Sequence, residues 1–328
     1  MSAAEHGPDD VLTVRGLRME AGPPGSPVPL LDGVDLRVGR GETVGLVGES
    51  GSGKSLTARA ALGLFPAGAR VSGAVTAAGT EVIGADRAAL RGLRRHRVSM
   101  VFQDPRAAVN PVRRVGDHLT EALRARGVPR REARDRALDL LERVGIRDPR
   151  TAVRRFPHEF SGGMLQRVVI AGALSTGPDL ILADEPTTAL DVTTQAEVIA
   201  LLDSLRRERG TGMLFVTHDL DLAAAICDRV HVMYAGRIVE ETTGAELLSA
   251  PAHPYTRALV AASPSLHGDR GAPVPVAGRP RSLAEAPSGC SFRDRCPAAD
   301  DACAAAVPAV RRHGGAAVAC LRPAAVAL

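Results

Sequence analysis

An octapeptide near residue 50 limits the folds open to this 328-residue chain more than any other part of it. The stretch Gly48-Glu49-Ser50-Gly51-Ser52-Gly53-Lys54-Ser55 fits the phosphate-binding pattern G-x-x-x-x-G-K-[S/T] at every fixed position. An apolar strand pattern over 43–47 precedes it, and a helical pattern over 56–64 follows. In such a loop the backbone N–H groups turn toward phosphate oxygens, the lysine reaches the β- and γ-phosphates, and the serine hydroxyl ligates Mg²⁺. The stretch predicts a nucleoside triphosphate site formed by Gly48, Ser50, Gly51, Ser52, Gly53, Lys54, Ser55 and Leu56.

The basic residues single out Lys54. Among 41 basic residues Lys54 is the one lysine, and the other 40 are arginine. A lysine ammonium is a compact point charge, unlike the planar guanidinium of arginine. One lysine in a chain of this composition would acquire these neighbours by chance with a probability of roughly one in a thousand. The composition therefore supports a phosphate-binding role for Lys54.

The overall composition disfavours a nucleic-acid or membrane-spanning protein. The 41 bases against 37 acids leave a net charge of +4, and aromatic residues make up 2% of the chain. No basic stripe is interleaved with aromatic residues, as nucleic-acid binding would favour. No run of eighteen apolar residues occurs and the N-terminus is acidic and polar, so neither a membrane span nor a secretory signal is expected.

The order of patterns predicts an α/β fold. Apolar strands alternate with helices along the chain, as in βαβ units. Two strand pairs are expected, one over 11–15 and 31–38 and another within 73–83, and the pattern from 115 to 144 is helical. Beyond about Thr242 prolines and alanines become frequent, and four of the five cysteines lie there. We therefore expect a nucleotide-binding domain over 1–241, with a helical insert at about 104–176, and a C-terminal extension over 242–328.

Five motifs in one order make the chain resemble the ATP-binding subunits of ABC transporters over about residues 11–240. They are the phosphate loop, Gln103 at the Q-loop, Phe160-Ser161-Gly162-Gly163-Met164 at the signature, Asp184-Glu185 at Walker B with Ala189-Leu190-Asp191 at the D-loop, and His218 at the switch histidine. The resemblance implies a phosphate-loop NTPase core of the ABC ATPase type with an antiparallel β subdomain, a helical subdomain and a short cysteine-containing C-terminal extension.

Further motifs resemble the subfamily that energises oligopeptide and dipeptide importers. They include 158–164, 183–192, His253-Pro254-Tyr255-Thr256-Arg257-Ala258-Leu259 and Gly289-Cys290-Ser291-Phe292-Arg293-Asp294-Arg295-Cys296-Pro297. The resemblance implies a peripheral subunit at the cytoplasmic face of the cell membrane. Its implied partners are a second ATPase subunit, identical or homologous, two transmembrane permease subunits and, indirectly, an extracytoplasmic solute-binding protein. No nucleic-acid partner is expected.

The resemblance also implies the roles of individual residues in ATP hydrolysis. Glu185 would be the general base and His218 would hold the attacking water in place, while Mg²⁺ would be bound by Ser55, Gln103 and Asp184. The signature residues Ser161, Gly162 and Gly163 would bind the γ-phosphate of a partner's nucleotide, and Asp191 would bridge the two subunits. One chain would therefore supply two half-sites.

Two features depart from simple patterns. The aromatic residue that usually stacks on adenine aligns with Ala21, so either another residue such as Arg18 covers the base or stacking is missing, and weak base discrimination is expected. The C-terminal cysteines Cys290, Cys296, Cys303 and Cys320 lack the C-x2-C pairs of zinc fingers and ferredoxins. Four clustered thiols still favour a metal site, with [4Fe–4S] ahead of Zn²⁺ and unliganded thiols as the alternative.

The sequence disfavours two other functions. A soluble ABC ATPase acting on ribosomes or nucleic acid would typically carry two nucleotide domains or a long coiled-coil insert, and this chain has one domain and no heptad run. A non-catalytic regulatory or metal-sensing module would lack Glu185 or His218, and both are present. The solute itself is not encoded in this chain.

Overall fold

The computed structural model describes residues 9–23, 25–187, 190–264 and 272–323. Within these residues the chain forms two β-sheets and a set of α-helices. The strands are β1 (Asp10–Ala21), β2 (Val28–Gly39), β3 (Thr43–Val47), β4 (Arg70–Ala77), β5 (Thr80–Glu81), β6 (Val98–Val101), β7 (Leu180–Asp184), β8 (Gly212–Thr217), β9 (Arg229–Tyr234), β10 (Arg237–Thr243), β11 (Arg311–His313) and β12 (Ala316–Val318). The helices are α1 (Lys54–Ala60), α2 (Arg87–His96), α3 (Pro105–Ala108), α4 (Val115–Ala125), α5 (Arg130–Arg143), α6 (Pro149–Ala152), α7 (Gly162–Leu174), α8 (Val192–Arg209), α9 (Leu220–Ile226), α10 (Gly244–Ser249), α11 (Pro254–Ala262) and α12 (Ala302–Ala305).

The larger sheet positions the functional residues. In the described part of the chain its strand order is β11-β12-β10-β9-β3-β8-β7-β6, and β9, β3, β8, β7 and β6 run parallel. Strands β3, β7 and β8 are buried at every position, which fits the continuous apolar runs of parallel strands covered on both faces. Because parallel strands end at the same edge, the loops that follow β3, β6, β7 and β8 are brought together there.

The smaller sheet is antiparallel, with the order β2-β1-β4-β5. Strands β1 and β2 extend well beyond the predicted 11–15 and 31–38, because both continue into a long hairpin in which Ala21 pairs with Val28. Its inner face packs on the larger sheet through an apolar cluster that includes Leu17, Val34 and Leu46. The sheet thus covers one face of the core beside the phosphate loop.

The helices between β6 and β7 form a second apolar cluster with the other face of the large sheet. Leu119 of α4, Leu141 of α5 and Ile170 of α7 are buried in it. The positions of Leu119 and Leu141 agree with the helical pattern predicted over 115–144, which is divided into α4 and α5 by a turn containing Gly127 and Pro129. Cys227 is a small residue of the same core, since its thiol is buried and burial raises its pKa.

The C-terminal extension packs against the core and also extends its sheet. Strand β12 pairs with β10, and β11 pairs with β12 at the sheet edge, which the sequence patterns did not predict. Tyr234 at the end of β9, Tyr255 on α11 and Phe292 form a cluster of three rings with centroids 4.6 to 5.2 Å apart. None of the helices in the described residues is both long and apolar enough to span a membrane.

A buried histidine joins this extension to β10. His253 is 1% exposed, its backbone N–H donates to the Glu240 carboxylate at 2.7 Å, and its Nδ1 accepts from the Tyr255 N–H at 3.0 Å. The histidine therefore caps α11 in its neutral form, since protonated Nδ1 cannot accept a hydrogen bond. Burial lowers its pKa from 6.5 to about 3.

We expect this histidine to make the fold sensitive to acid. Between pH 6.5 and about 3 the unfolded chain binds a proton at His253 that the folded chain does not, so stability is lost as the pH falls. His253 alone would lower the free energy of unfolding by about 1.4 kcal/mol for each pH unit in this range. His253→Asn keeps a capping acceptor and removes the titration, so urea unfolding at pH 7 and pH 5 should show a smaller loss than in the wild type. His313→Asn, at an exposed strand position, is the control. An equal loss in His253→Asn and wild type would contradict the assignment.

Candidate nucleotide and magnesium site

The phosphate loop lies between β3 and α1, as its motif predicts. Gly48 has φ +147°, and a Cβ there would lie 2.2 Å from the carbonyl oxygen of Met233. Gly53 has φ +108°, and its Cβ would meet the Leu31 side chain at 2.6 Å. These two positions require glycine both for backbone conformation and for close packing. The loop is therefore held against the ends of β2 and β9.

Lys54 is 5% exposed and extends back over the loop. Its Nζ donates to the carbonyl oxygens of Gly48 at 2.8 Å and Glu49 at 2.9 Å. An ammonium has three donors, so these two bonds fix its position and leave a third N–H for a phosphate oxygen. Burial lowers the pKa of Lys54, although the nearby carboxylates of Glu185, Asp184 and Glu49 oppose this change.

Ser55 and Asp184 place two oxygen ligands beside the loop. The Ser55 hydroxyl donates to Asp184 Oδ1 at 2.8 Å, and Arg59 Nη2 lies 3.8 Å from Asp184 Oδ2. Burial raises the pKa of Asp184, so a nearby cation would stabilise its carboxylate. One carboxylate and one hydroxyl, completed by phosphate oxygens and water, is a donor set that suits Mg²⁺. The residues present fit the predicted magnesium site.

Glu185 follows β7 in an unusual backbone conformation. Its φ is +47°, a left-handed value that is uncommon for a residue with a side chain, and its N–H donates to the Val216 carbonyl oxygen at 2.9 Å. The turn directs the chain out of the sheet directly after Asp184, and the Glu185 side chain is 17% exposed. Such strained residues concentrate at functional sites, which agrees with the role expected for Glu185.

The residues after β6 and β8 both contact Glu185. Gln103 Nε2 donates to Glu185 Oε2 at 2.9 Å, and His218 Nδ1 lies 3.4 Å from the same oxygen. The His218 side chain is 59% exposed and faces the open edge of the site. Three strand ends therefore bring together the residues predicted for hydrolysis, beside the Ser55–Asp184 pair. In this arrangement the Gln103 amide contacts the predicted base rather than Asp184.

The signature residues form the exposed start of another helix. Ser161 caps α7, where its hydroxyl accepts from the Met164 N–H at 3.3 Å, and Gly162 and Gly163 form the first turn. A Cβ on Gly163 would lie 2.6 Å from the Thr194 methyl group, so glycine permits close contact with α8. The described contacts of this turn go to α8 rather than to the phosphate loop, as expected if it serves a different nucleotide.

Asp191 caps α8 beside the signature turn. Its Oδ1 accepts from the Thr194 N–H at 3.0 Å and its Oδ2 from the Thr194 hydroxyl at 2.7 Å, and these bonds lower the pKa of Asp191. Thr188 and Ala189 of the neighbouring D-loop motif lie outside the described residues. The carboxylate is exposed and remains ionised, which suits the contact with a partner subunit that the resemblance implies.

The position expected for an adenine-stacking ring carries none in this structure. Ala21 ends β1 opposite Val28, and the guanidinium of Arg18 forms an ion pair with Asp32. An Arg18 held by Asp32 would have to leave this pair, or move with it, to cover a base. Weak discrimination between adenine and other bases stays a prediction.

The expected metal site at the C-terminal cysteines is not supported. Residues 9–23, 25–187, 190–264 and 272–323 contain no group of three or more His, Cys, Asp or Glu side chains able to hold a metal ion. Cys290, Cys296, Cys303 and Cys320 are all free, and the Cys290 N–H donates to the Cys303 carbonyl oxygen at 2.8 Å. Burial raises the pKa of Cys290, of Cys296 and, to about 11, of Cys320. The described residues therefore give no support to the predicted [4Fe–4S] cluster or Zn²⁺.

The sequence patterns did not identify three residues that are in contact at the site, Glu49, Tyr255 and Arg295. Glu49, inside the phosphate loop, accepts two hydrogen bonds from Arg295, and its backbone N–H donates to the Tyr255 hydroxyl at 2.9 Å. One signal could have indicated this contact. An acidic side chain inside a loop that binds anions needs a cation beside it, and the chain has 40 arginines from which to supply one.

Comparison with known proteins agrees with this geometry. A family model described as "ABC transporter" matches residues 31–188, and one described as "Oligopeptide/dipeptide transporter, C-terminal region" matches 239–303. The chain is similar to the oligopeptide transport ATP-binding protein OppD of Escherichia coli, with 41% identity covering 98% of this chain and 95% of that protein. The OppD protein of Salmonella typhimurium is also 41% identical, over 95% of this chain and 94% of its own length.

Solved structures of ATP-binding cassettes resemble the fold. One is the cassette MJ0796 in a dimeric post-hydrolysis state with ADP and Pi, at 28% identity and a TM-score of 0.62 over 71% of this chain and 98% of that one. Another is cbiO1 of Clostridium perfringens, part of the transporter complex cbiONQ, at 29% identity and a TM-score of 0.63 over 74% of this chain and 92% of that one. These coverages leave about a quarter of the present chain outside the shared cassette.

Proposed function

Because this chain belongs to the ATP-binding subunits of ABC transporters, we propose that it hydrolyses ATP to energise the import of peptides or similar solutes. The observation that carries this proposal is the convergence on one Glu185 oxygen of Gln103 and His218, next to the Ser55–Asp184 pair and Lys54. Two findings support peptide import, namely the matched oligopeptide/dipeptide transporter C-terminal region and the similarity of almost the whole chain to OppD.

ATP binding begins with the phosphate loop. The backbone N–H groups around Gly51 to Gly53 cradle the phosphates, and the free donor of Lys54 bonds a β- or γ-phosphate oxygen. Ser55 and Asp184 would hold Mg²⁺, which would supply positive charge to neutralise the phosphates. Their side chains already lie together, with the Ser55 hydroxyl donating to Asp184 Oδ1 at 2.8 Å.

Hydrolysis depends on the residues at the ends of β6, β7 and β8. Glu185 accepts the proton of the attacking water, and its left-handed backbone turn aims the carboxylate into the site. Gln103 and His218 hold that carboxylate in place by contacting the same oxygen. Loss of ATP from this site changes the hydrogen bonds of Gln103. Because Gln103 precedes the helices between β6 and β7, this change links hydrolysis to the movement of those helices.

Two nucleotide half-sites on one chain require a partner. The signature turn at Ser161 to Gly163 presents a helix N-terminus, which suits an anionic phosphate, and it serves the nucleotide of a second ATPase subunit. Asp191, exposed beside this turn, bridges the pair. The full complex contains two transmembrane permease subunits, with this chain peripheral at the cytoplasmic face of the membrane and a solute-binding protein outside.

Purification of the tagged chain from detergent-solubilised membranes tests this function. We expect recovery with two polytopic membrane proteins and a second ATPase or second copy, and ATP hydrolysis stimulated by a peptide-loaded solute-binding protein. Cells lacking the chain should fail to grow on a peptide as the source of an essential amino acid but grow on the free amino acid. Recovery with ribosomes or DNA and without membrane proteins would leave the ATPase standing and overturn the transport function.

A further inference from the structure

The C-terminal extension contacts the phosphate loop directly at Glu49. Arg295 donates from Nη1 to Glu49 Oε2 at 2.6 Å and from Nη2 to Glu49 Oε1 at 2.9 Å, a bidentate ion pair between residues 246 positions apart. The Tyr255 hydroxyl accepts the Glu49 backbone N–H at 2.9 Å. These two partners of Glu49 therefore come from the part of the chain beyond β10.

Arg295 neutralises the charge that Glu49 places inside the phosphate loop. A carboxylate inside a loop that binds a polyanion repels the phosphates unless a cation neutralises it. The Glu49 side chain is 18% exposed and that of Arg295 is 4% exposed, so water screens the charge of Glu49 little and the pair is largely shielded from solvent. The bonds to Glu49 raise the pKa of Arg295, which keeps its guanidinium charged.

Arg295 is held in place before any nucleotide binds. Its guanidinium carbon lies 5.7 Å from the ring centroids of both Tyr234 and Phe292, and its Nε donates to the Ala277 carbonyl oxygen at 2.6 Å. Cation–π contacts and this backbone bond fix the planar group in one orientation. Little conformational freedom remains to be lost when the loop orders around phosphates.

The backbone at Glu49 connects the contacts of the extension to Lys54. The peptide unit between Gly48 and Glu49 donates its N–H to the Tyr255 hydroxyl at 2.9 Å, and the carbonyl oxygen of the same unit, that of Gly48, accepts from Lys54 Nζ at 2.8 Å. The Glu49 carbonyl oxygen, in the next unit, also accepts from Lys54 Nζ, at 2.9 Å. A rotation of the Gly48–Glu49 peptide would therefore break the Tyr255 bond and move one of the two acceptors that place the ammonium. Contacts of the extension thus reach the phosphate-binding amine through a single peptide.

We propose that Arg295 and Tyr255 are positioning residues of the nucleotide site, which fix and neutralise Glu49 and thereby set the affinity of the phosphate loop for ATP. The inference rests on the ATP-binding function proposed above. It assigns the C-terminal extension a part in nucleotide binding by its own chain, separate from any contact with the transported solute or with the permease.

A charge-removal cycle on the full-length chain tests the proposal. The dissociation constant of MgATP is measured by calorimetry for Arg295→Gln, Glu49→Gln and the double variant. We expect Arg295→Gln to weaken binding about tenfold, because it leaves an unpaired carboxylate beside the phosphates. Glu49→Gln should stay within about threefold of the wild type, and adding it to Arg295→Gln should restore most of the lost affinity.

Controls separate positioning from folding. Arg281→Gln removes a half-exposed arginine that pairs with Asp294 in the same extension, and it should leave MgATP affinity unchanged. Tyr255→Phe removes one acceptor and keeps the ring in its cluster, so it should weaken binding even if Arg295→Gln folds poorly. In the assembled complex the KM for ATP should rise while kcat at saturating ATP changes less.

Two results would overturn the inference. One is an unchanged dissociation constant in folded Arg295→Gln or Tyr255→Phe, and the other is a double variant as weak as Arg295→Gln, which would indicate a structural role. If instead the wild-type chain bound no MgATP, or Lys54→Ala bound it equally well, the ATP-binding function itself would fail.

Discussion

Glu185→Gln is expected to lower the ATPase activity of the assembled complex about a thousandfold while leaving MgATP affinity within about threefold of the wild type. Glutamine keeps the size of the side chain and an oxygen that Gln103 and His218 can contact, but it cannot take a proton from water. Binding depends on the phosphate loop and on Asp184, which the substitution leaves in place. The variant should therefore bind ATP and stall before hydrolysis.

Single-turnover hydrolysis and equilibrium binding, measured on the same preparation, separate these effects. Glu208→Gln is a matched control, because it makes the same chemical change at an exposed residue of α8 that pairs with Arg143. It should retain full activity. A Glu185→Gln complex that hydrolyses ATP at more than a tenth of the wild-type rate would exclude Glu185 as the general base. Equal loss of binding and hydrolysis would instead place Glu185 in ATP binding.

The strands of the large sheet could be predicted where the local residue pattern matches the strand that forms in the parallel sheet. Strands β3, β7 and β8 are short apolar runs, each followed by a polar motif, and a parallel sheet brings such motifs to one edge. The phosphate loop with Lys54 could therefore be predicted from its own pattern, and the grouping of Asp184, Glu185 and His218 with it from the family resemblance that the motif order carries. The left-handed turn at Glu185 could not, because its residue type does not favour positive φ and the turn is imposed by the packing around β7.

The C-terminal extension was harder to predict for physical reasons. Strands β11 and β12 have three residues each, and Arg311 to Arg312 are exposed, so no apolar alternation marks them. Their stability comes from pairing with β10, about 75 residues earlier, as in Glu240 opposite Val318. The Arg295–Glu49 pair is still more remote in sequence, at 246 positions. Helix α2 was also missed, since Leu93 is its one fully buried side chain among several arginines.

Lys54 is the second position where a large effect is expected. Lys54→Ala removes the charge-assisted bond to the phosphates and should weaken MgATP binding about a hundredfold. Lys54→Arg keeps the positive charge, so it is the matched control that separates the loss of charge from the loss of the compact ammonium group. A planar guanidinium is larger than an ammonium and does not fit where Nζ meets the carbonyl oxygens of Gly48 and Glu49. We expect Lys54→Arg to bind nearly as weakly as Lys54→Ala.

The composition of the chain allows a direct measurement on the unmutated protein. Lys54 is the sole lysine of the sequence, so an amine-directed reagent can modify its side chain and the N-terminal α-amino group. Burial lowers the pKa of Lys54, which favours the reactive neutral amine. Bound phosphates would stabilise the ammonium, so ATP binding would be accompanied by proton uptake at Lys54. The affinity of the protein for ATP should therefore fall as the pH rises through the pKa of Lys54. Mass spectrometry should show MgATP protecting Lys54 but not the N-terminal α-amino group, which serves as the internal control. Equal protection of both amines, or of neither, would contradict the placement of Lys54 on the phosphates.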